Sequence, residues 1–248
     1  PRPGTTGTWA VVDLPAGQSP LWIKRGAVTG LLTVDAGTNP GGPDLTGPDG
    51  AECASALLGA VLRGHDLTRC PAEELTTDDA ELLRATVSFI AGRGIREITV
   101  AADSSPRSIA AEQVVRAAAR TTGVSVATVA EPRGPWLVTS GWTAADATLR
   151  QLAGQPSTGS YLAPWLNTRP LLEIGSAQHV VSRFVSAQPY TEALRGRFPA
   201  ESPSAAGLAA WTGTAVAGPA RMYVLSGANS ENEWPDGLES VSEPLEAG

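Results

Sequence analysis

Strand patterns and helix patterns alternate through the middle of this chain, and that alternation limits its possible folds more than any other feature. Residues 96–102 are a short β-branched run typical of a buried strand, and 103–106 supply a helix cap followed by a proline. A helix pattern then runs over 106–121. Strands joined by such helices lie parallel, with right-handed crossovers. The alternation therefore predicts an α/β fold of parallel sheets flanked by helices.

Similar patterns recur along the rest of the chain. Further strands are predicted at 8–14, 21–24, 28–34, 124–129, 135–140, 161–163 and 222–225. Further helices are predicted at 51–62, at 78–91, from Thr143 or Asp146 to Gly154, at 190–198 and at 204–214. The apolar stripe of the 106–121 helix is predicted to contain Ile109, Gln113, Val114, Ala117 and Ala118. The glycine- and proline-rich stretch 37–50 is predicted to be a long loop.

Length and charge narrow the classes of protein to which the chain belongs. Its 248 residues can form one large domain or two small lobes. The net charge of −7 and the absence of a basic stripe argue against nucleic acid as a partner, and solubility accounts for the acidity. No run approaches the length of a membrane span. We expect 1–7 to be a disordered linker and 226–248 an acidic, loosely ordered tail.

The chain has two cysteines, Cys53 and Cys70. The pair could form a disulfide, remain as two buried thiols or contribute half of a metal site. No CxxC spacing is present, which disfavours a metal. A disulfide is the favoured interpretation, and it would place the protein in an oxidising, extracytoplasmic compartment.

Several segments of the second half follow one another in a recognisable order. They are a helix leading into 94–100, the stretch 103–105 before a helix, 136–142 with the helix through 149–152, 161–165, and the helical segment 190–211. In this order they resemble the later half of a type I periplasmic binding protein of the branched-chain amino-acid type. The resemblance spans about residues 75–211.

The resemblance implies two α/β lobes with a ligand held between them. We expect a reduced first lobe at 8–94 and a second lobe with a return segment at 95–225. Ligands of open parallel sheets are held by loops at the carboxyl ends of the strands. Those loops are 103–105, 140–143 and 164–167 in this chain.

The residue types in these loops suit a small ligand. Four hydroxyls are candidate ligand contacts: Ser104, Ser105, Ser140 and Thr143. Helix starts offer free N–H groups to an anionic end, while Trp142 and Trp165 offer flat faces to an apolar or cationic group. The alternative interpretation is structural, with the tryptophans packed between lobes and a serine acting only as a helix cap.

The chain departs from amino-acid-binding relatives at one position. Those relatives hold the ammonium group with a carboxylate, whereas 164–166 contains neither Asp nor Glu. A more apolar or aromatic ligand is therefore at least as well supported by the sequence.

The motifs of the common enzyme classes are missing from the sequence. There is no GxSxG, GxGxxG, GxxxxGK[ST] or HExxH pattern. The two histidines, His65 and His179, stand in no catalytic pattern. The sequence therefore predicts a non-enzyme that uses neither a cofactor nor a metal.

Three functional hypotheses follow. The first is an extracytoplasmic solute-binding or sensing domain, secreted or tethered to a membrane through flanking sequence, with a transporter or receptor as a partner. The second is a ligand-free interaction or structural domain on the same fold, and the third is a hydrolase with an unrecognised site. Exposed rings of Trp142 and Trp165 in an open cleft would favour the first hypothesis, and buried rings the second.

Overall fold

The computed structural model describes residues 18–25, 28–35, 45, 49–153, 160–172, 174, 178–181, 188–199, 201–213, 221–226 and 239–244. The structural statements below concern these residues. The predicted strand 8–14, most of the predicted loop 37–50 and Gly154 lie outside them.

One seven-stranded sheet dominates the described part of the chain. Two strands before it, β1 (Gln18–Arg25) and β2 (Val28–Asp35), form an antiparallel hairpin. The seven are β3 (Glu97–Ala101), β4 (Ser125–Ala127), β5 (Trp136–Val138), β6 (Ser160–Leu162), β7 (Gln178–Val181), β8 (Arg221–Ser226) and β9 (Glu239–Pro244). Their order is β4-β3-β5-β6-β7-β8-β9. The first five are mutually parallel, while β8 and β9 are antiparallel additions at one edge.

Seven helices accompany the described strands. They are α1 (Gly50–Arg63), α2 (Thr77–Gly92), α3 (Pro106–Thr122), α4 (Trp142–Ala153), α5 (Arg169–Leu172), α6 (Gln188–Arg197) and α7 (Ala205–Thr212). Side chains of α2, α3 and α4 form the main hydrophobic core with the buried faces of β3, β5 and β6. The predicted α/β class, with a parallel sheet flanked by helices, is confirmed.

Local sequence signals explain the helix boundaries. Thr76 caps α2 by accepting a hydrogen bond from the Asp79 N–H, at 3.1 Å. Ser105 caps α3, whose first residue is a proline, and Gly123 ends that helix in the left-handed region at φ 71°. These boundaries agree with the sequence patterns because each depends on residues close in the chain.

The predicted buried face of α3 is wrong. Ile109 is 46% exposed, whereas the buried residues of this helix are Arg107, Ser108, Ala111, Val115 and Ala119. The alanine-rich sequence defines no sharp apolar stripe, and Arg107 on the buried face of the helix is paired with Glu52. The start of α4 also differs, since that helix begins at Trp142 and not at Thr143 or Asp146.

Two strands of the sheet have no counterpart among the predicted ones. They are β7, and β9 within the segment expected to be a loose tail. Backbone pairing with β8 holds β9 from Arg221 opposite Pro244 to Ser226 opposite Glu239. Pairing with neighbouring strands therefore stabilises these two segments as strands, although their local sequence patterns do not predict it.

The first helix packs against α7, which lies about 150 residues later in the sequence. A Cβ on Gly59 of α1 would overlap the carbonyl oxygen of Gly207 in α7, so the two backbones touch. Beside this contact lies a small second core, the helical cluster, formed by buried Tyr190, Leu194 and Leu208. Residues 50–63 and 205–212 are thus in direct contact.

The predicted disulfide is confirmed. Cys53 in the first turn of α1 is bonded to Cys70, with 5.1 Å between the Cα atoms. The bond fixes the start of α1 against a short 3₁₀ turn, Pro71–Glu73. None of the described helices has the length and apolar character needed to span a membrane.

Candidate functional site

The three predicted ligand-binding loops meet at one edge of the sheet, where the carboxyl ends of their strands lie. Ala101, Val138 and Leu162 lie side by side at the ends of β3, β5 and β6. The chain therefore leaves all three strands at the same place, which we call the binding edge. The predicted site residues surround it: Ser104 and Thr143 are exposed, Ser105 is half-buried, and Ser140, Trp142 and Trp165 are buried.

The two tryptophans of the binding edge are packed, not open. Each is 5% exposed, and both rings belong to the main core. The Trp142 Nε1–H donates to the Trp165 carbonyl oxygen at 3.0 Å, and the Trp165 Nε1–H donates to the Ser140 carbonyl oxygen at 3.0 Å. Both indole N–H groups are therefore satisfied, and they join the loop after β5 to the loop after β6.

Asp103 organises the loop after β3. Its carboxylate accepts hydrogen bonds from the Ser105 hydroxyl at 2.6 Å and the Ser105 N–H at 2.9 Å, while the Gly141 N–H donates to it at 2.7 Å. Burial opposes ionisation, but the bonds from Ser105, Gly141 and Ser108 outweigh it and hold the Asp103 pKa below its ordinary value. This carboxylate therefore ties the loop after β3 to the start of α4.

An ion pair covers the ring of Trp165. The Arg107 guanidinium lies 4.4 Å from the ring centroid and donates to both Glu52 oxygens, at 2.8 Å and 2.5 Å. Arg107 is 3% exposed and Glu52 1%. Burial raises the Glu52 pKa against the attraction of Arg107. A bidentate buried pair of this kind is geometrically specific, and it occupies the face predicted for a cationic or apolar ligand group.

Asp49 covers the start of α4. This residue is 7% exposed, and its carboxyl group lies against Gly141, the residue before that helix. Burial raises the Asp49 pKa, Arg107 opposes the rise, and the nearby Asp103 charge adds to it. The chain's own carboxyl group therefore fills the space beside the start of α4, where the sequence predicted the anionic end of a ligand.

Two buried oxygen atoms at the binding edge lack a hydrogen-bond partner among the residues the structure describes. They are Asp49 Oδ1 and Ser140 Oγ. Buried polar atoms of folded proteins are nearly always bonded, so each such exception calls for an explanation.

Sequence reasoning missed Asp49, Glu52 and Arg107. The first two lie more than 80 residues before α4 and the third stands in a first helical turn, so no local pattern links them. Among the described residues, no group of three or more His, Cys, Asp or Glu side chains could hold a metal ion.

Comparisons with known proteins give structural neighbours only. No protein-family model and no curated protein sequence matches the chain. An ABC transporter substrate-binding protein from Desulfitobacterium hafniense aligns with a TM-score of 0.38 and 12% identity over 54% of this chain and 47% of that chain. The chain thus spans about half the length of that protein.

Two other solved structures cover more of the chain. A periplasmic ligand-binding protein of a branched-chain amino acid ABC transporter from Burkholderia xenovorans LB400 aligns over 67% of this chain and 63% of that one, with 9% identity and a TM-score of 0.45. An R. palustris solute-binding protein in complex with benzoate aligns over 78% and 68%, with 11% identity and a TM-score of 0.47. These are proteins of the kind that the sequence resembles. Their TM-scores lie below 0.5, so the function proposed below depends on the contacts described above.

Proposed function

We propose that the chain is an extracytoplasmic domain that binds or senses a small molecule at the binding edge. The observation that carries this proposal is the pair of buried, unpartnered oxygens, Ser140 Oγ and Asp49 Oδ1, at the predicted ligand position. A buried polar group without a partner costs about 1–3 kcal/mol. A ligand that hydrogen-bonds to these atoms would recover that free energy on binding.

The surroundings of these two atoms support the same proposal. Three strand ends converge there, and loops at such ends hold the ligands of open parallel sheets. Ser104 and Thr143 are exposed at the rim, where they can contact an arriving molecule. The Cys53–Cys70 disulfide supports an oxidising, extracytoplasmic location. A membrane transporter or receptor as the partner belongs to the proposal.

The ligand class follows from the side chains at the edge. Residues 164–166 form a turn of Pro, Trp and Leu and contribute no carboxylate for an ammonium group. The lack of a carboxylate in this buried turn supports a molecule with an apolar or aromatic body at least as well as a free amino acid. A few polar groups on that body would reach the buried oxygens.

One observation favours the second hypothesis, a ligand-free interaction or structural domain. Both tryptophan rings are buried, with their N–H groups bonded to backbone oxygens. In that case the filled edge is a structural core and not a closed binding site. The hydrolase hypothesis has less support, because Ser140 Oγ has no partner among the described residues and a nucleophilic serine needs a base within bonding distance.

A thermal-shift screen tests the proposal. The purified domain is melted with amino acids, small aromatics, sugars and organic acids. A ligand at about 100 times its dissociation constant should raise the free energy of unfolding by about 2.7 kcal/mol. We expect the stabilisation to be lost in Ser140→Ala and weakened in Thr143→Ala.

The matched control is Thr121→Ala, an exposed threonine at the far end of α3. It should respond to the ligand like the wild type. If no class of compound stabilises the wild type, the binding proposal fails and the ligand-free hypothesis replaces it.

A further inference from the structure

The two residues that hold Arg107 each stand next to a cysteine of the disulfide. Arg107 donates to the two carboxylate oxygens of Glu52, at 2.8 Å and 2.5 Å, and to the carbonyl oxygen of Pro71 at 3.4 Å. Glu52 immediately precedes Cys53, and Pro71 immediately follows Cys70. The disulfide therefore joins the two segments that supply these acceptors to Arg107.

The backbone that connects the same two segments is mostly exposed. It runs from the end of α1 to Cys70 through 64–69, where Leu67 is half-buried and the other residues are exposed. Cys70 itself is 6% exposed, and its Sγ accepts a hydrogen bond from the Ala72 N–H at 3.4 Å. The buried disulfide thus fixes the turn that contains Pro71 against the first turn of α1, whereas the exposed connection contributes little packing.

Contacts of Arg107 continue from this turn to the binding edge. The guanidinium lies 4.4 Å from the centroid of the Trp165 ring. The Trp165 Nε1–H donates to the Ser140 carbonyl oxygen at 3.0 Å, and the Oγ of the same serine is buried without a partner among the described residues. The position of Trp165 therefore depends on a buried cation and on the loop after β5.

A disulfide can act in two ways, and they have different consequences. A cross-link destabilises the unfolded chain, and this effect changes the free energy of opening the whole fold. A positional effect concerns the native state, because a charge pair buried as deeply as Glu52 and Arg107 is stable only in a specific geometry. The second effect alone reaches Trp165 without unfolding of the sheet.

We propose that the disulfide is a positioning element of the binding edge. It keeps Glu52 and the Pro71 carbonyl oxygen around Arg107, and the guanidinium in turn keeps the Trp165 ring in place. Without the bond, the turn that contains Pro71 separates from α1, and the loop of Trp165 opens while the sheet stays folded. The ligand part of this inference rests on the proposed function: a compound that contacts Ser140 Oγ binds more weakly when the disulfide is absent.

Hydrogen exchange of two N–H groups in the ligand-free protein tests the proposal. The Trp165 indole N–H reports on the binding edge. The Thr99 backbone N–H, in the middle of β3, donates to the Pro135 carbonyl oxygen at 3.0 Å and reports on unfolding of the sheet. In Cys53→Ala/Cys70→Ala we expect the indole exchange to accelerate at least about tenfold more than the backbone exchange. Sucrose in all samples favours the compact state and keeps the variant folded.

Two comparisons give the controls. Leu194→Ala removes buried packing from the helical cluster and keeps the disulfide, so it should accelerate both N–H groups by the same factor. In a Glu52→Gln/Arg107→Met background the ion pair is already absent. Removing the disulfide there should no longer change the ratio of the two exchange rates.

Each outcome supports or overturns a defined step. Equal acceleration of both N–H groups in Cys53→Ala/Cys70→Ala would show that the disulfide acts only through the unfolded chain, and would overturn the proposal. A change of the ratio that persists in full in the Glu52→Gln/Arg107→Met background would overturn the path through Arg107.

The exchange measurements need no ligand, so a screen without a stabilising compound overturns the proposed function and not the positioning role. With such a compound, we expect the affinity to fall about tenfold in the variant that lacks both cysteines and to stay unchanged in Leu194→Ala. Equal affinities in these two variants would overturn the ligand part of the inference.

Discussion

The binding edge and the helical cluster are two parts of one molecule that are held together differently. The cluster around Tyr190, Leu194 and Leu208 is mainly apolar, and its helices approach closely at Gly59 and Gly207. The binding edge is closed by charged and polar groups that are buried beside tryptophan rings.

This difference between the two regions indicates which of them is expected to carry the function. Apolar packing of the cluster is satisfied by any well-fitting side chains, so its residues carry information about the fold only. Buried charges are stable only in one arrangement, because losing a partner leaves an uncompensated charge. We therefore expect the binding edge, which retains a buried ion pair, to have a requirement beyond folding.

The largest effect is expected at the buried ion pair. Arg107→Ala leaves the Glu52 carboxylate buried without its partner and should lower the free energy of unfolding by about 3–5 kcal/mol. Chemical denaturation followed by circular dichroism measures this loss. In Glu52→Gln/Arg107→Met both charges of the pair are removed together, so a double variant as unstable as Arg107→Ala would contradict the electrostatic explanation.

In the helical cluster the expected loss comes from a cavity. Leu194 is 1% exposed, and Leu194→Ala should lower the free energy of unfolding by roughly 2–5 kcal/mol. Val61→Ala on α1, at 38% exposure, is the control and should change it little. Leu194→Ala should leave ligand binding at the edge unchanged, measured with the compound identified by the screen. A large loss of affinity in this variant would show that the two regions are not independent.

The disulfide should matter less, and chiefly through the unfolded chain. Cys53→Ala/Cys70→Ala opens a loop with a sequence separation of 17 residues and should cost about 2–4 kcal/mol. The midpoint of urea denaturation measures the loss. Because Cys53 lies next to Glu52, the variant should also speed the exchange of the Trp165 indole N–H, and an unchanged exchange rate would argue against this coupling.

The smallest expected effect is the pH dependence of the free energy of unfolding, and its sign differs between Asp103 and Asp49. The Asp103 pKa lies below the ordinary value of 3.8, so its stabilisation is present above that pH and is lost as the pH falls through the lowered pKa. The Asp49 pKa is raised above 3.8, so its contribution is present below 3.8 and is lost as the pH rises through the raised value.

Unfolding free energies between about pH 2 and pH 7 test these signs. Asp103→Asn should flatten the acid side of the profile, and Asp49→Asn should flatten the loss that accompanies rising pH. The opposite pattern in the two variants would contradict the described environments.

The sequence predicted most of the elements but not how the binding edge is closed. Strand β3 and helices α2 and α3 follow from β-branched runs, caps such as Thr76 and Ser105, and stop glycines. These signals are local, so they can be recognised in the sequence without knowledge of the fold.

The rest depends on distant segments meeting. Asp49 and Glu52 reach α4 and α3 only in the folded chain, and α3 buries Arg107 and not the predicted stripe. The predicted site residues Ser140, Trp142 and Trp165 do converge at one edge. Which of them contact a ligand stays a prediction.

The most direct test of the account is an NMR titration of the indole N–H groups. The protein has seven tryptophans, and substitution of Trp142 and Trp165 by phenylalanine, one at a time, assigns their two resonances. If ligands bind at this edge, a stabilising compound from the screen shifts these two resonances far more than the other five. A compound that binds but leaves both resonances in place would contradict binding at this edge.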